Sequence, residues 1–381
     1  MKNTMFRLFG QVLRKDTDKK TVSLDREAWR GIYKLSSSHD MAHLIGYALK
    51  DSDIVIDADI KKAFEQKADM AIFRYAQLGY ELEAIENALE KAEVRFIPLK
   101  GSYIRKLYKE PWLRMSCDID ILVDKADVEK VRSVFESELN YTYKSSWHYE
   151  HTFVTPTKIE IELHHMLCDA EDTGAEVLSC VWEHSAPAEG FAYHYEMSDE
   201  MFYLYHIAHM AKHFVKGGCG IRPFMDLWIL NHTKSFDKEK RYALLQEAGL
   251  CDFAKATEML AEVWFGSAEH TDLTRKMEVF ILNGGTYGTI ENRVAVQQIV
   301  AGGKRSYIFS RIFWSYEQLK ANYPKLENRK WLTPFYQVKR WFRIFRKGKL
   351  KRSIHEAKTT SAITSEETNQ TVRFLKDLGL R

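Results

Sequence analysis

The stretch that decides the fold runs from Val94 to Asp124 and reads VRFIPLKGSYIRKLYKEPWLRMSCDIDILVD. A short apolar run, Val94 to Leu99, meets Lys100, Gly101 and Ser102. A helical segment follows, and Asp118-Ile119-Asp120 then opens a second apolar run, Ile121 to Val123. Residues two apart on a strand point to the same face. Asp118 and Asp120 therefore share one surface, while Ile119 and Ile121 turn the other way into a core. Neighbouring carboxylates repel each other unless positive charge lies close by. A hard divalent cation suits such a pair, and Mg²⁺ typically takes one or two carboxylates together with phosphate oxygens. A glycine turn suited to phosphate stands upstream, because glycine lets backbone N–H groups come close to an anion and a helix start favours negative charge.

Working outward, the run Ile159-Glu160-Ile161-Glu162-Leu163-His164 alternates strictly. Glu160, Glu162 and His164 thus lie on one face of a strand. Short strands also fit Tyr141 to Lys144 and His151 to Thr155, with helices over Tyr103 to Tyr108 and Asp127 to Leu139. Before this unit, residues 1–92 read as helical. Ala71, Tyr75, Leu78, Leu82, Ile85 and Leu89 recur at spacings of three and four and predict one long amphipathic helix. After it, residues 171–338 are helical again. Ser198 is placed to cap a helix ending near Gly217-Gly218, and another helix starts near Pro223. Two further segments complete the chain, a basic and aromatic stretch over 339–352 and a polar linker with a short terminal helix over 353–381.

The Gly-Ser turn followed by an Asp-x-Asp strand resembles the DNA polymerase beta-like nucleotidyltransferase superfamily. Leu99-Lys100-Gly101, Arg114-x-x-x-Asp118-Ile119-Asp120, Glu162-Leu163-His164 and Gly220-Ile221-Arg222-x-x-x-Asp226 further resemble a bacterial uncharacterised nucleotidyltransferase family. The resemblance runs from about Trp29 to the Arg340 region. It implies an α+β fold, a small mixed sheet with flanking helices over 93–170, embedded between the N- and C-terminal helical regions. It also implies a metal-dependent transferase that moves a nucleoside monophosphate from an NTP such as ATP to an acceptor hydroxyl and releases pyrophosphate. Asp118, Asp120 and Glu162 would be the catalytic, metal-binding acids, for Mg²⁺ with Mn²⁺ as an alternative. Glu160 is the rival for the third acid.

Lys100, Gly101, Ser102, Arg114, His209 and Arg222 are the candidate nucleotide-binding residues. His206, His209 and His213 share a helical stripe with Lys212 and Lys216 nearby, either as a cleft wall or as a polar helix face. Arg222 and Asp226, four apart, fit a structural ion pair or a phosphate clamp. The acceptor, whether small molecule, sugar, protein or RNA, carries no readable code. Two rival functions remain open: an idle nucleotide- or RNA-binding regulator, and a phosphotransferase that moves the γ-phosphoryl group.

Composition narrows the rest. The 381 residues carry a formal net charge of only +3, so any anion-binding role must be local. Five scattered cysteines without a C-x-x-C pair argue against a disulfide framework or a zinc site, and suit a reducing, cytoplasmic compartment. Met1 to Lys20 lacks the apolar core of a signal peptide, and no transmembrane segment is expected. The segment Lys339 to Arg352, KRWFRIFRKGKLKR, is either a helix with solvated cations or a contact for an anionic surface.

Overall fold

The computed structural model describes residues 1–14, 24–50, 52–346 and 364–380. It opens with helices α1 (Lys2–Arg14), α2 (Arg26–Ser38), α3 (Ala42–Lys50) and the 34-residue α4 (Ala58–Lys91). The predicted long helix is α4, and the expected Leu78, Ile85 and Leu89 line its buried side. Strand β1 (Phe96–Pro98) leads through α5 (Gly101–Ile104) and two 3₁₀ turns to β2 (Asp118–Val123). Next come α6 (Val128–Ser137), β3 (Thr142–Trp147), β4 (Glu150–Val154), β5 (Glu160–His164), α7 (Ala175–Ser179) and the small hairpin β6 (Ser185–Pro187) and β7 (Tyr195–Met197).

The helical part resumes with α8 (Asp199–Val215), α9 (Arg222–Thr233), α10 (Lys238–Glu247), α11 (Cys251–Phe265) and α12 (Asp272–Leu282). Beyond these lie α13 (Ile290–Val300), α14 (Lys304–Ile312), α15 (Tyr316–Asn322), α16 (Thr333–Arg346) and α17 (Ser365–Asp377). The last helix begins inside the polar stretch read as linker; residues 353–363 of that stretch lie outside the described residues, as do 347–352 of the basic segment.

The five-stranded sheet has the order β1-β2-β5-β4-β3. All its pairings are antiparallel except β2 with β5, which run parallel with Asp118 opposite Glu160 and Asp120 opposite Glu162. This is the small mixed sheet with flanking helices that was expected. Its two faces serve different purposes. Ile119, Ile121, Ile161 and Leu163 face Leu78, Ile85 and Leu89 of α4 and Val131 and Phe135 of α6, forming one closed core. The opposite face meets the helical body through Leu122, whose core includes Phe64, Tyr203, Phe224 and Phe265. Period-two alternation makes this possible: apolar residues anchor the strands while the alternate positions are left for polar groups.

Local chemistry fixes the helix that faces the sheet. The Ser198 hydroxyl accepts from the Met201 N–H at the start of α8, and Gly217 and Gly218 end the turn beyond it with positive φ values of 119° and 122°. Helix α9 follows at once with Pro223 in its first turn. The helix expected over Tyr103 to Tyr108 is shorter in its α-helical part. It becomes a 3₁₀ turn at Arg105, whose side-chain Nε donates back to the Gly101 carbonyl at 2.6 Å.

Candidate active site

A cavity of about 460 Å³ opens between the polar face of the sheet and helices α8 and α9. Lys100, Gly101, Arg114, Asp118, Asp120, Glu162, His209 and Arg222 all line it. Of the residues predicted from sequence, Ser102 does not: it is buried beneath the turn. Glu160 also stays outside, exposed at the start of β5.

The turn into the site bends sharply. The Ser102 N–H donates to the Leu99 carbonyl at 3.1 Å, and Lys100 between them takes φ 45° and ψ −115°. A lysine at positive φ is strained by about 1–3 kcal/mol, a cost that accumulates at functional positions. Here the strained backbone sends the Lys100 side chain across the sheet to Asp120, with Nζ 2.7 Å from Oδ1. Gly101 is required by crowding. A Cβ there would lie 2.8 Å from Nη1 of Arg114 and 3.3 Å from Nη2 of Arg105.

Asp120 is the electrostatic centre. Its side chain is 4% exposed, and Oδ1 accepts from Lys100 and from Nε2 of His164 at 3.0 Å. Burial alone would raise its pKa, but the Lys100 charge and the His164 hydrogen bond outweigh it and hold the carboxyl far below its ordinary range. Asp118 goes the other way: burial and the Asp120 charge raise it, and the nearby cations offset only part. Glu162 receives a hydrogen bond from His164 that favours its charge, yet burial and Asp120 lift it above the ordinary value. His164 loses charge to burial and regains more from its two carboxylates, so its pKa is raised.

Asp120, Glu162 and His164 each offer a ligand atom, and these atoms lie within 4.8 Å of one another. His164 had been placed on the right face by alternation but given no role. Two oxygens and a nitrogen at this spacing, beside Asp118, fit a divalent cation that would take the place of the His164 hydrogen bonds, and an imidazole donor is better tolerated by Mn²⁺ than by Mg²⁺.

The remaining candidate residues separate into cavity wall and framework. Arg114 is tied to Asp226 through Nε and Nη2 at 2.8–3.1 Å, and Tyr108 donates to the same carboxylate at 2.7 Å. Arg222 and Asp226 therefore do not pair with each other. Asp226 points inward, 1% exposed, to where Arg114 lies, whereas Arg222 stays at the cavity and donates to the Met115 carbonyl at 2.9 Å. Nε2 of His209 and Nε2 of His213 meet at 3.3 Å; burial, then the Lys100 charge, pushes His213 down to about 4 and His209 also well down. They form a neutral hydrogen-bonding wall. His206 turns away to the Pro223 carbonyl, though its ring still borders the space.

Lys212 is held by Asp172 at 2.8 Å and by the Tyr149 hydroxyl at 2.7 Å. Tyr149 and Trp147 come from the β3–β4 hairpin, and His39 and Thr286 from distant segments. These four were not singled out from sequence. Trp147 and Tyr149 lie between the strands expected over Tyr141 to Lys144 and His151 to Thr155, and nothing local joins His39 to Thr286.

The comparisons now bear on this geometry. A family model described as uncharacterised nucleotidyltransferase matches residues 25–266. The chain belongs to that family. The match takes in α2 through α11 and the whole sheet, and it ends well before the Arg340 region to which the resemblance was expected to extend. No curated protein and no solved structure matches the chain. As a nucleotidyltransferase family member it has a nucleotide as substrate class. Among the described residues, no helix is long and apolar enough to cross a membrane.

Proposed function

We propose that the protein transfers a nucleoside monophosphate from an NTP to an acceptor hydroxyl and releases pyrophosphate. One observation carries the reading: Asp120 of β2 and Glu162 of β5 face each other in register, with Asp118 and His164 beside them, in a cavity otherwise rich in cations. Asp118, Asp120 and Glu162 are the residues that would hold Mg²⁺ or Mn²⁺. When bound, that ion supplies Lewis-acid neutralisation of phosphate charge and lowers the pKa of the acceptor hydroxyl.

The chain's own groups account for the rest. Lys100 and Arg222 put positive charge on the wall where a triphosphate would be held, and Gly101 lets Arg114 pack close behind the turn. His209 and His213, being neutral, offer hydrogen bonds without adding charge. Glu162, with a raised pKa and a hydrogen bond to His164, is suited to take the acceptor's proton. The acceptor oxygen forms a bond to the α-phosphorus while the bond to the β-bridging oxygen breaks. Pyrophosphate leaves with that electron pair, and the proton goes to Glu162. The five free cysteines fit a reducing compartment, and we place the reaction in the cytoplasm.

Calorimetry with ATP tests the binding half of this proposal. Affinity should rise sharply with Mg²⁺ or Mn²⁺, and Asp120→Asn should remove that metal dependence. Equal ATP affinity with and without divalent cation would overturn the assignment of the acids.

A further inference from the structure

Charge along this chain is strongly segregated. Residues 304–352 hold fifteen Lys and Arg against two Glu, a net of +13, although the whole chain sums to +3; everything else is therefore net −10. The described part of this basic region also shows an unusual outer surface. Phe309 on α14 and Phe313 just past its end are 64% and 44% exposed, with rings 4.8 Å apart. On α16, Phe335, Val338 and Phe342 follow one another by three and four residues, so they form one stripe, and all are exposed; Trp331 just ahead is 78% exposed.

The two helices are joined, so these stripes belong to one arm. Arg340 and Trp341 of α16 donate to the Ile312 carbonyl at the end of α14 at 2.9 and 3.1 Å, and the Phe313 ring lies 5.6 Å from that of Trp341. The inward side of α16 is already occupied: Tyr336 is buried with Leu319 and Leu326. Among the described residues, nothing covers the apolar stripe.

We propose that this arm docks the protein on an anionic lipid surface. Large apolar side chains ringed by Lys and Arg are the physical signature of an interfacial segment, in which rings and aliphatic groups enter the acyl boundary while cations meet lipid phosphates. Nucleic acid would use the cations and stack on the aromatics, but it has no use for exposed aliphatic groups such as Ile312 and Val338. The charge on the rest of the chain adds orientation. A net of −10 is repelled by an anionic surface, so the arm approaches and the catalytic part faces away. This inference does not depend on the nucleotidyl-transfer reading.

Flotation of the full chain with vesicles tests it, comparing phosphatidylcholine alone with phosphatidylcholine containing about a third phosphatidylglycerol. The anionic vesicles should bind at least roughly tenfold more protein, and added salt should weaken this. The triple variant Phe309→Ser, Phe335→Ser, Phe342→Ser should lose roughly tenfold in binding while keeping its melting temperature. Phe342→Ser alone, with a smaller loss, serves as the check should the triple variant unfold. Equal binding to both vesicles, or no binding, would overturn the proposal. So would serine variants that float like wild type, or a single-stranded RNA bound equally by wild type and variant. A wild-type dimer that becomes monomeric in the variant would assign the face to a second copy of the chain and likewise overturn it.

Discussion

Asp120 meets Lys100 and His164 at once, and its substitution separates metal chemistry from stability. In Asp120→Asn the Lys100 ammonium keeps its half-buried position but loses its counter-charge, at a cost of about 1–3 kcal/mol. The variant should therefore melt at a lower temperature without ligand and should no longer bind ATP in a metal-dependent way. A full melting temperature would mean that Lys100 has another partner. Glu162 and Glu160 allow a cleaner contrast, because the first lines the cavity beside His164 and the second is exposed outside it. Glu162→Gln should slow transfer by roughly a hundredfold, the usual scale for a positioned base, while ATP is still bound in a metal-dependent way through Asp118 and Asp120. Glu160→Gln should turn over like wild type. Rates in the reverse order would move the proton acceptor to Glu160.

Elements explain what sequence could and could not convey. Strand β5 was legible because it alternates strictly, and β2 because Asp118-Ile119-Asp120 opens an apolar run. Alternation set Asp118 beside Asp120, and Glu162 on one face of its own strand, while the parallel pairing that joins the two faces belongs to the fold. The partner of Asp226 was not legible. Arg222 sits four residues away on the same helix, but the guanidinium that binds it belongs to Arg114, 112 residues earlier. Sequence spacing reports neighbours within an element, whereas this pair ties α9 to the end of the 3₁₀ turn Pro111–Leu113. Similarly, the Lys100 side chain was readable as a cation, but its strained backbone and its reach to Asp120 required the fold. Asp226→Asn tests the tie. It should cost about 3–5 kcal/mol, since a buried Arg114 is left without its counter-charge, and chemical denaturation should read this as a lower midpoint. A midpoint like wild type would make the pair dispensable.

At the scale of the whole molecule, buried histidines add to the response to acid. His39, 1% exposed, is pushed down to about 4 by burial, and His213 is pushed to the same level by burial and by Lys100. Between about pH 6.5 and about pH 4 the unfolded chain binds protons that the folded chain refuses, so stability falls as pH falls through that window. Each such group contributes up to about 1.4 kcal/mol per pH unit. The melting temperature should drop between about pH 7 and pH 5, and His39→Gln should show a shallower drop. An equally steep drop would remove His39 from the account. The division of the molecule is also unequal in charge, a basic arm against a net acidic remainder, and only the acid centre was readable as chemistry from local motifs. The arm's exposed stripes emerged once α14 and α16 were seen packed together.

The most direct test of nucleotidyl transfer follows the label. Wild-type protein is incubated with Mg²⁺ or Mn²⁺, a cell extract as the source of acceptor, and ATP labelled in the α- or the γ-phosphate. Products are separated beside an Asp120→Asn control. The account predicts α-label in a new covalent product and γ-label in pyrophosphate, both absent from the control. Label from the γ-phosphate in the product, with ADP released, would contradict it.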